Sequence, residues 1–549
     1  MFNPYRNRPR SFAFRHTFRP LTRLTSFPAL LCGLGVLAVA VRADTTAEKL
    51  FKEGKFNQAQ TAYAASVRNS PRELALRMAY ARTLLRLDKW FEAIKEMRTA
   101  IGIAPKSADA HGLLSFALMR GGQPEESEKA AKKAFELDPK SYWALVGSAR
   151  VALWNEKDAD AEKLLNQATK SYPDQPEAFY YLLDAQSQKT PRAERKKALT
   201  AFVKLAPKGH PFDRALDSLS RSTGTSEPAD EKKELQAEGK IDEGVLKAAD
   251  IGKSKPVSFT VNFETGKYDE DSIILPVSIN GSRFRLLFDT GAGHAITLNG
   301  PAVDRVNLPL LYRSVAHGVS GKEETAIRRA DEVKIGSQIF RNARVETSAA
   351  SLEAFDGLLG GAVFEDYVVS INYENNAMTL TRGKTAVAPP VREGYHIMTV
   401  PFHLIQGYII FPLRLEDQTN TQWAMLDTGA GGVGLLSLRT ARELAKKRNS
   451  ETTHEVERNE RRGVGTSSTK FTQVRFDFAV DLTMVHNGGT PYFMEMAPVE
   501  GASMMDNEVS RSSDFELIGL IGISYLSNAK RVTFDYPNHL LTMEFADNV

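Results

Sequence analysis

Two words with the same lettering, Asp289-Thr290-Gly291-Ala-Gly in "LLFDTGAGHAITL" and Asp427-Thr428-Gly429-Ala-Gly in "AMLDTGAGGVGLL", stand 138 residues apart, each behind an apolar run. Two carboxylates can run general acid–base chemistry when one is ionised and the other protonated at the same pH. Proximity supplies that difference: at about 3 Å and an effective dielectric near 20, two negative charges repel by roughly 5 to 6 kcal/mol, or about four pKa units. One proton is then shared, and the titration belongs to the pair. Gly291 and Gly429 would allow a tight corner and leave backbone donors facing the carboxylates. The interval is about the size of a small folding unit, so the words are either separate turns or two halves of one site.

The surrounding pattern favours two halves. From Val257 onward, short alternating or apolar runs such as "VSFTVNF", "FRLLF", "DEVKIG" and "YVVSINY" are separated by Gly and Asn, the signal of an antiparallel β class. "ILPVSINGSRFRLLFDTGAG" is answered by "IFPLRLEDQTNTQWAMLDTGAG", and "DGLLGGAVF" by "IGLIGISYL". Each of the latter leads into a strand and tight turn, "VSINYENNAMTL" and "VTFDYPNHLLTMEF". Three features in the same order predict two copies of one lobe, residues 256–390 and 391–549.

With these words in place, the second half resembles the aspartic peptidases of the pepsin and retropepsin superfamily over about 290 residues. The resemblance implies an all-β bilobal fold and a cofactor-independent, metal-free endopeptidase in which Asp289 and Asp427 activate water between them. It implies that Thr290 and Thr428 hydrogen-bond across a pseudo-two-fold axis, and that Leu358–Leu359 and Leu520–Ile521 pack beneath the corners. Gly360 and Gly522 would permit close backbone approach there. Both halves lie in one chain, so no dimer is required to build the site. A covering flap is expected at "VAHGVSGKEET" around Gly318, with a second at "RGVGTSSTKF" around Gly463. The chain departs from pepsins in offering no identifiable flap tyrosine, and in placing Gly293 and Gly431 where many relatives have Ser, Thr or Asp.

Other readings of the same residues are weaker. "GAGGVG" from Gly429 to Gly434 satisfies a dinucleotide-binding pattern, but the first copy lacks the third glycine and no second strand ending in an acid follows. His294 and His317 lack the spacing of a helical zinc pair. Ser320 in "HGVSGK" misses a nucleophile elbow by its last residue. The alternative from another class is a non-catalytic adaptor whose cleft holds extended peptides.

In the first half, Pro71, Pro105, Pro139, Pro173 and Pro207 recur every 34 residues. Ala93, Ser127 and Ala161 stand twelve residues before the second, third and fourth prolines, and Ala100, Ala134 and Ala168 five before. Small residues at those points let paired helices approach closely, and proline ends the second helix of each pair. This pattern resembles a tetratricopeptide (TPR) array, an all-α superhelix over residues 44–216, with Arg195 and Phe202 marking a degenerate last repeat. The resemblance implies docking of a peptide or protein partner. Residues 217–255 are polar and are expected to form a linker.

Residues 1–43 hold seven Arg and no acid, then the fifteen-residue apolar run "FPALLCGLGVLAVAV". That order predicts a signal peptide cleaved before Asp44, and a periplasmic or secreted protein; the run is short of the roughly 20 residues that span a bilayer. Without it, 64 basic residues face 67 acidic ones, which argues against an electrostatic nucleic-acid binder. Cys32, the single cysteine, lies in the same run, leaving the remainder without disulfide or thiolate chemistry.

Overall fold

The structure, a computed structural model, describes residues 45–186, 202, 204–205, 257–265 and 271–546. Within the last range 293–294, 319–320, 349–353, 383–389, 391, 406, 417–419, 453, 461–468, 486–492, 504, 506–508 and 511–513 are excepted. The leader, the linker, Arg195, Pro207, His294 and the second flap tip around Gly463 therefore lie outside the described residues.

Nine helices are described in the first part: α1 Thr45–Lys52, α2 Phe56–Asn69, α3 Leu74–Arg86, α4 Trp90–Ile103, α5 Ala108–Arg120, α6 Pro124–Leu137, α7 Tyr142–Trp154, α8 Asp158–Ser171 and α9 Pro176–Gln186. Pro71, Pro105, Pro139 and Pro173 each fall two residues past the end of α2, α4, α6 and α8, where a missing N–H and a fixed φ stop the helix. Ala93, Ala100, Ser127, Ala134, Ala161 and Ala168 are all fully buried. Close approach is tightest between α5 and α7, where a Cβ added to Gly112 would stand 2.2 Å from the Trp143 carbonyl carbon. Phe202, at a position the repeat reserves for a small residue, is buried against Tyr180.

Three sheets make up the second part. An eight-stranded sheet carries Ser282–Asp289, a ten-stranded sheet carries Gln422–Asp427, and a six-stranded sheet joins the two. The six-stranded sheet takes Val257–Asn262, Ala377–Arg382 and Tyr367–Asn372 from one copy, and Arg531–Asp535, Leu540–Ala546 and Tyr395–Pro401 from the other. At its centre Ser370 pairs with Thr533, and the two hydroxyls are bonded at 3.2 Å. Aliphatic and aromatic side chains of all three sheets, Phe288, Leu359, Ile521 and Phe534 among them, share one continuous core.

The helical array packs on the second copy. The Trp154 ring at the end of α7 stacks on His403 at 3.9 Å and on Phe515 at 4.8 Å, and meets Trp423 edge-on at 4.9 Å. Among the described residues no helix is long and apolar enough to cross a membrane.

Candidate active site

Alternation along each strand decides what its terminal aspartate faces. In Ser282–Asp289, Leu286 and Phe288 enter the shared core while Arg285, Leu287 and Asp289 take the opposite face; in Gln422–Asp427, Ala424 and Leu426 enter the core while Trp423, Met425 and Asp427 do not. Each strand then runs parallel to a Gly-apolar-apolar-Gly strand, with Asp289 opposite Gly360 and Asp427 opposite Gly522. The space beside Gly522 is already filled by backbone: a Cβ there would lie 2.4 Å from the Gly432 carbonyl oxygen. Leu359 and Ile521 are fully buried in the core, as the paired words require, whereas Leu358 and Leu520 face the outer clusters.

The corners interlock. The Thr290 amide donates to Thr428 Oγ1 at 3.0 Å, and the Thr428 amide donates to Thr290 Oγ1 at 3.0 Å. Each hydroxyl in turn donates across the junction, Thr290 to the Leu426 carbonyl at 2.8 Å and Thr428 to the Phe288 carbonyl at 2.9 Å. Both threonines are fully buried. This network brings together residues that are far apart in sequence.

Asp289 and Asp427 meet as a hydrogen-bonded pair, half-buried beside the two glycines. The Gly291 amide donates to Asp289 Oδ1 at 2.8 Å; Asp427 Oδ1 accepts from Gly429 at 2.9 Å and from Ala430 at 3.1 Å. A Cβ on Gly291 would sit 2.5 Å from Asp427 Cγ, and one on Gly429 2.5 Å from Asp289 Cγ, so each glycine makes room for the opposite carboxylate.

Burial raises the Asp289 carboxyl well above the usual carboxylate range, and the charge of Asp427 and its hydrogen bond add to the rise; the Gly291 and Ala292 amides oppose it. Burial also raises Asp427, but the hydrogen bond from Asp289 and the Gly429 and Ala430 amides hold it back. The environments push the two groups apart, the condition for one acid and one base at a single pH. Both carboxyls are raised, and one proton is held in a titration that belongs to the pair.

A hairpin of Leu310–Gly318 and Gly321–Ile335 closes on the pair Gly318–Gly321, where the first flap is expected, and His317 lies on its first strand. Ser320 falls outside the described residues. The second hairpin joins His454–Glu460 to Thr469–Phe476. "GAGGVG" leads into the strand Gly434–Ser437, antiparallel to Gly519–Gly522, and its first amide holds the Asp427 carboxylate. That is not a strand–turn–helix phosphate cradle. Sequence reasoning passed over the Ala430 amide and the asymmetry of the two faces. The signal was available: four residues before the aspartate, one copy has Arg285 and the other Trp423.

Residues 50–115 and 118–184 match the family model described as a tetratricopeptide repeat, and residues 275–363 match the one described as an aspartyl protease. An aspartic proteinase from Irpex lacteus is similar in structure at 11% identity and TM-score 0.34, covering 53% of this chain and 99% of that one. A thermophilic TPR protein of Thermus thermophilus is similar at 21% identity and TM-score 0.26, covering 30% of this chain and 89% of that one. MamA protein is similar at 18% identity and TM-score 0.21, covering 29% and 86%. No curated protein matches the chain. With its repeat helices, its interlocked corners and these two family matches, the chain joins an N-terminal tetratricopeptide-repeat array to a C-terminal domain of the aspartyl protease kind.

Proposed function

We propose that this protein is an exported aspartic endopeptidase that hydrolyses peptide bonds with water activated between Asp289 and Asp427. The observation carrying this reading is the hydrogen-bonded, half-buried carboxyl pair, each member set at its corner by backbone amides. In the reaction the ionised carboxylate takes a proton from the attacking water while the protonated partner hydrogen-bonds the substrate carbonyl oxygen. That same carboxyl then delivers the proton to the leaving nitrogen, so it acts first as base and then as acid, and the pair ends the turnover in its starting protonation state. Thr290, Gly291, Thr428 and Gly429 act by positioning.

One chain supplies both corners, so a monomer suffices in this reading. The lobes span 256–390 and 391–549, each giving three adjacent strands to the joining sheet, and the repeats at 44–216 give a surface for a protein partner. Export is supported by the Arg-rich, acid-free leader and its apolar run; sequencing the N-terminus of protein recovered outside the cytoplasm should start at Asp44.

The deciding experiment measures cleavage of unfolded protein by the wild type, Asp289→Asn and Asp427→Asn. Wild-type cleavage lost in both variants is the expected result. Equal activity in all three would remove this dyad as the catalyst, and peptide bound but never cleaved would favour the adaptor reading.

A further inference from the structure

The face formed by α5, α7 and α9 is occupied by the chain itself. Asp514 reaches it from the segment preceding the strand Gly519–Gly522 and meets three side chains of the array. Arg120 Nε lies 2.7 Å from its Oδ1 as an ion pair without hydrogen-bond alignment, Arg150 pairs with its Oδ2, and the Tyr181 hydroxyl donates to Oδ2 at 2.6 Å. Arg150 Nη2 also donates to the Asp514 carbonyl at 3.1 Å, and the Glu516 amide donates to the Arg120 carbonyl at 2.9 Å. Asp514 is 6% exposed, Arg120 1% and Arg150 8%. A charge cluster removed from water to this degree is stable only while every partner is present. Arg120 is held in turn by the Leu85 carbonyl at 2.7 Å and by Asp88 at 3.1 Å.

Next to this polar grip, Phe515 inserts against Trp154, and the apolar contacts continue without a break through Trp423, Met425 and Leu520 to Ala430. Met425 lies two residues before Asp427 on the same strand face, Leu520 pairs with it on the neighbouring strand, and the Ala430 amide holds the Asp427 carboxylate. The corresponding face of the other copy is covered by a far smaller group, Ile274, Leu287, Ala292 and Leu358 with Phe355. Among the described residues the array is thus built onto one half of the dyad and not the other.

We propose that the α5–α7–α9 face is a receptor for the chain's own Asp514–Phe515 pair, and that this intramolecular docking keeps Asp427 in register with Asp289. The ligand chemistry is a carboxylate followed by an aromatic ring, presented on a turn in which Asp514 holds φ +51°. Arg120, Arg150, Tyr181 and Trp154 are positioning residues, acting on Asp427 through Phe515, Met425 and Leu520. The kinetic arm of the test below rests on the peptidase reading; the exchange arm does not.

The test uses the full chain with Arg150→Met, Asp514→Asn, the conservative Asp514→Glu, and Arg77→Met, which removes an ion pair with Glu96 inside the array away from Asp514. Amide hydrogen exchange by mass spectrometry is followed over residues 422–430 and, as the internal reference, over 284–292. Arg150→Met and Asp514→Asn should raise exchange in 422–430 by about tenfold or more and leave 284–292 unchanged, with Asp514→Glu largely restored and Arg77→Met silent at both. In the same proteins kcat should fall about tenfold while KM holds, because substrate contacts are kept and the geometry of one carboxyl is not. Unchanged exchange at 422–430, or an equal rise at 284–292, overturns the proposal. Should Arg150→Met fail to fold, Asp514→Asn, which keeps the volume of the side chain, decides the matter. A wild type with no peptidase activity sinks the peptidase reading alone, since the exchange arm is read without substrate.

Discussion

Thr290 and Thr428 each donate an amide hydrogen to the other's hydroxyl at 3.0 Å, and each hydroxyl then donates to a carbonyl of the opposite strand. Four hydrogen bonds in a fully buried position fix the two aspartate corners against one another. Removing one hydroxyl leaves a buried amide and a buried carbonyl unpaired, each of which costs about 1–3 kcal/mol. Thr290→Val should therefore lower the urea midpoint by the equivalent of about 2–4 kcal/mol, whereas Thr290→Ser should hold most of the wild-type value. A Thr290→Val variant with an unchanged midpoint would mean that the junction is held by the joining sheet alone.

Asp289→Asn separates catalysis from stability. Its carboxyl is raised in the fold, so the stability it contributes is present below its unfolded pKa and is lost as pH rises through the folded one. At neutral pH the wild type consequently bears the cost of keeping a buried carboxyl protonated, which the amide does not. Peptidase activity should fall by about 10² to 10⁴ while the melting temperature at pH 7 rises, and that rise should shrink in acid. A melting temperature that drops equally at both pH values would show that the carboxyl pair is not strained by burial.

Gly429→Ala tests the room left for the opposite carboxylate. Its Cβ would fall 2.5 Å from Asp289 Cγ and within 2.8 Å of both carboxyl oxygens, well inside contact distance. Asp289 must move, and a displacement of about 1 Å at the reacting groups should cost about 10²-fold in kcat. Comparing it with Gly281→Ala, an open surface turn with φ +85°, distinguishes carboxylate displacement from general backbone strain, because only the stability of that second variant should suffer.

His403, stacked on Trp154, gives the array interface an acid limit. Burial lowers its pKa to about 4; the hydrogen bond to the Trp154 carbonyl opposes the fall, and His539, itself paired with Glu156, adds to it. Its folded pKa lies below the ordinary 6.5, so the unfolded chain binds the proton first. Stability is lost as pH falls from about 6.5 toward about 4, by about 2 kcal/mol once partial exposure is allowed for. His403→Phe keeps the ring and removes the titration, and it should flatten the decline in unfolding free energy over that interval. An unchanged slope would assign acid sensitivity to other groups.

The sequence alone determined the elements and their chemistry. Prolines every 34 residues with small residues at fixed offsets dictate helix ends and close crossings, because a missing N–H and a missing side chain act locally. The doubled Asp-Thr-Gly and Gly-apolar-apolar-Gly words likewise announce two corners, since a tight turn and a close backbone approach each need glycine at one position. Asp514 carried no such mark, being one acid in a polar stretch, and neither did Arg120 at the end of one apolar helix or Arg150 within another. Only the tertiary structure decided that these charges converge, that Trp423 rather than Arg285 faces the array, and that burial raises both carboxyls of the pair. Partnership across 364 residues of chain and the desolvation of a carboxyl depend on what folding packs around a group, and no local pattern encodes that surrounding.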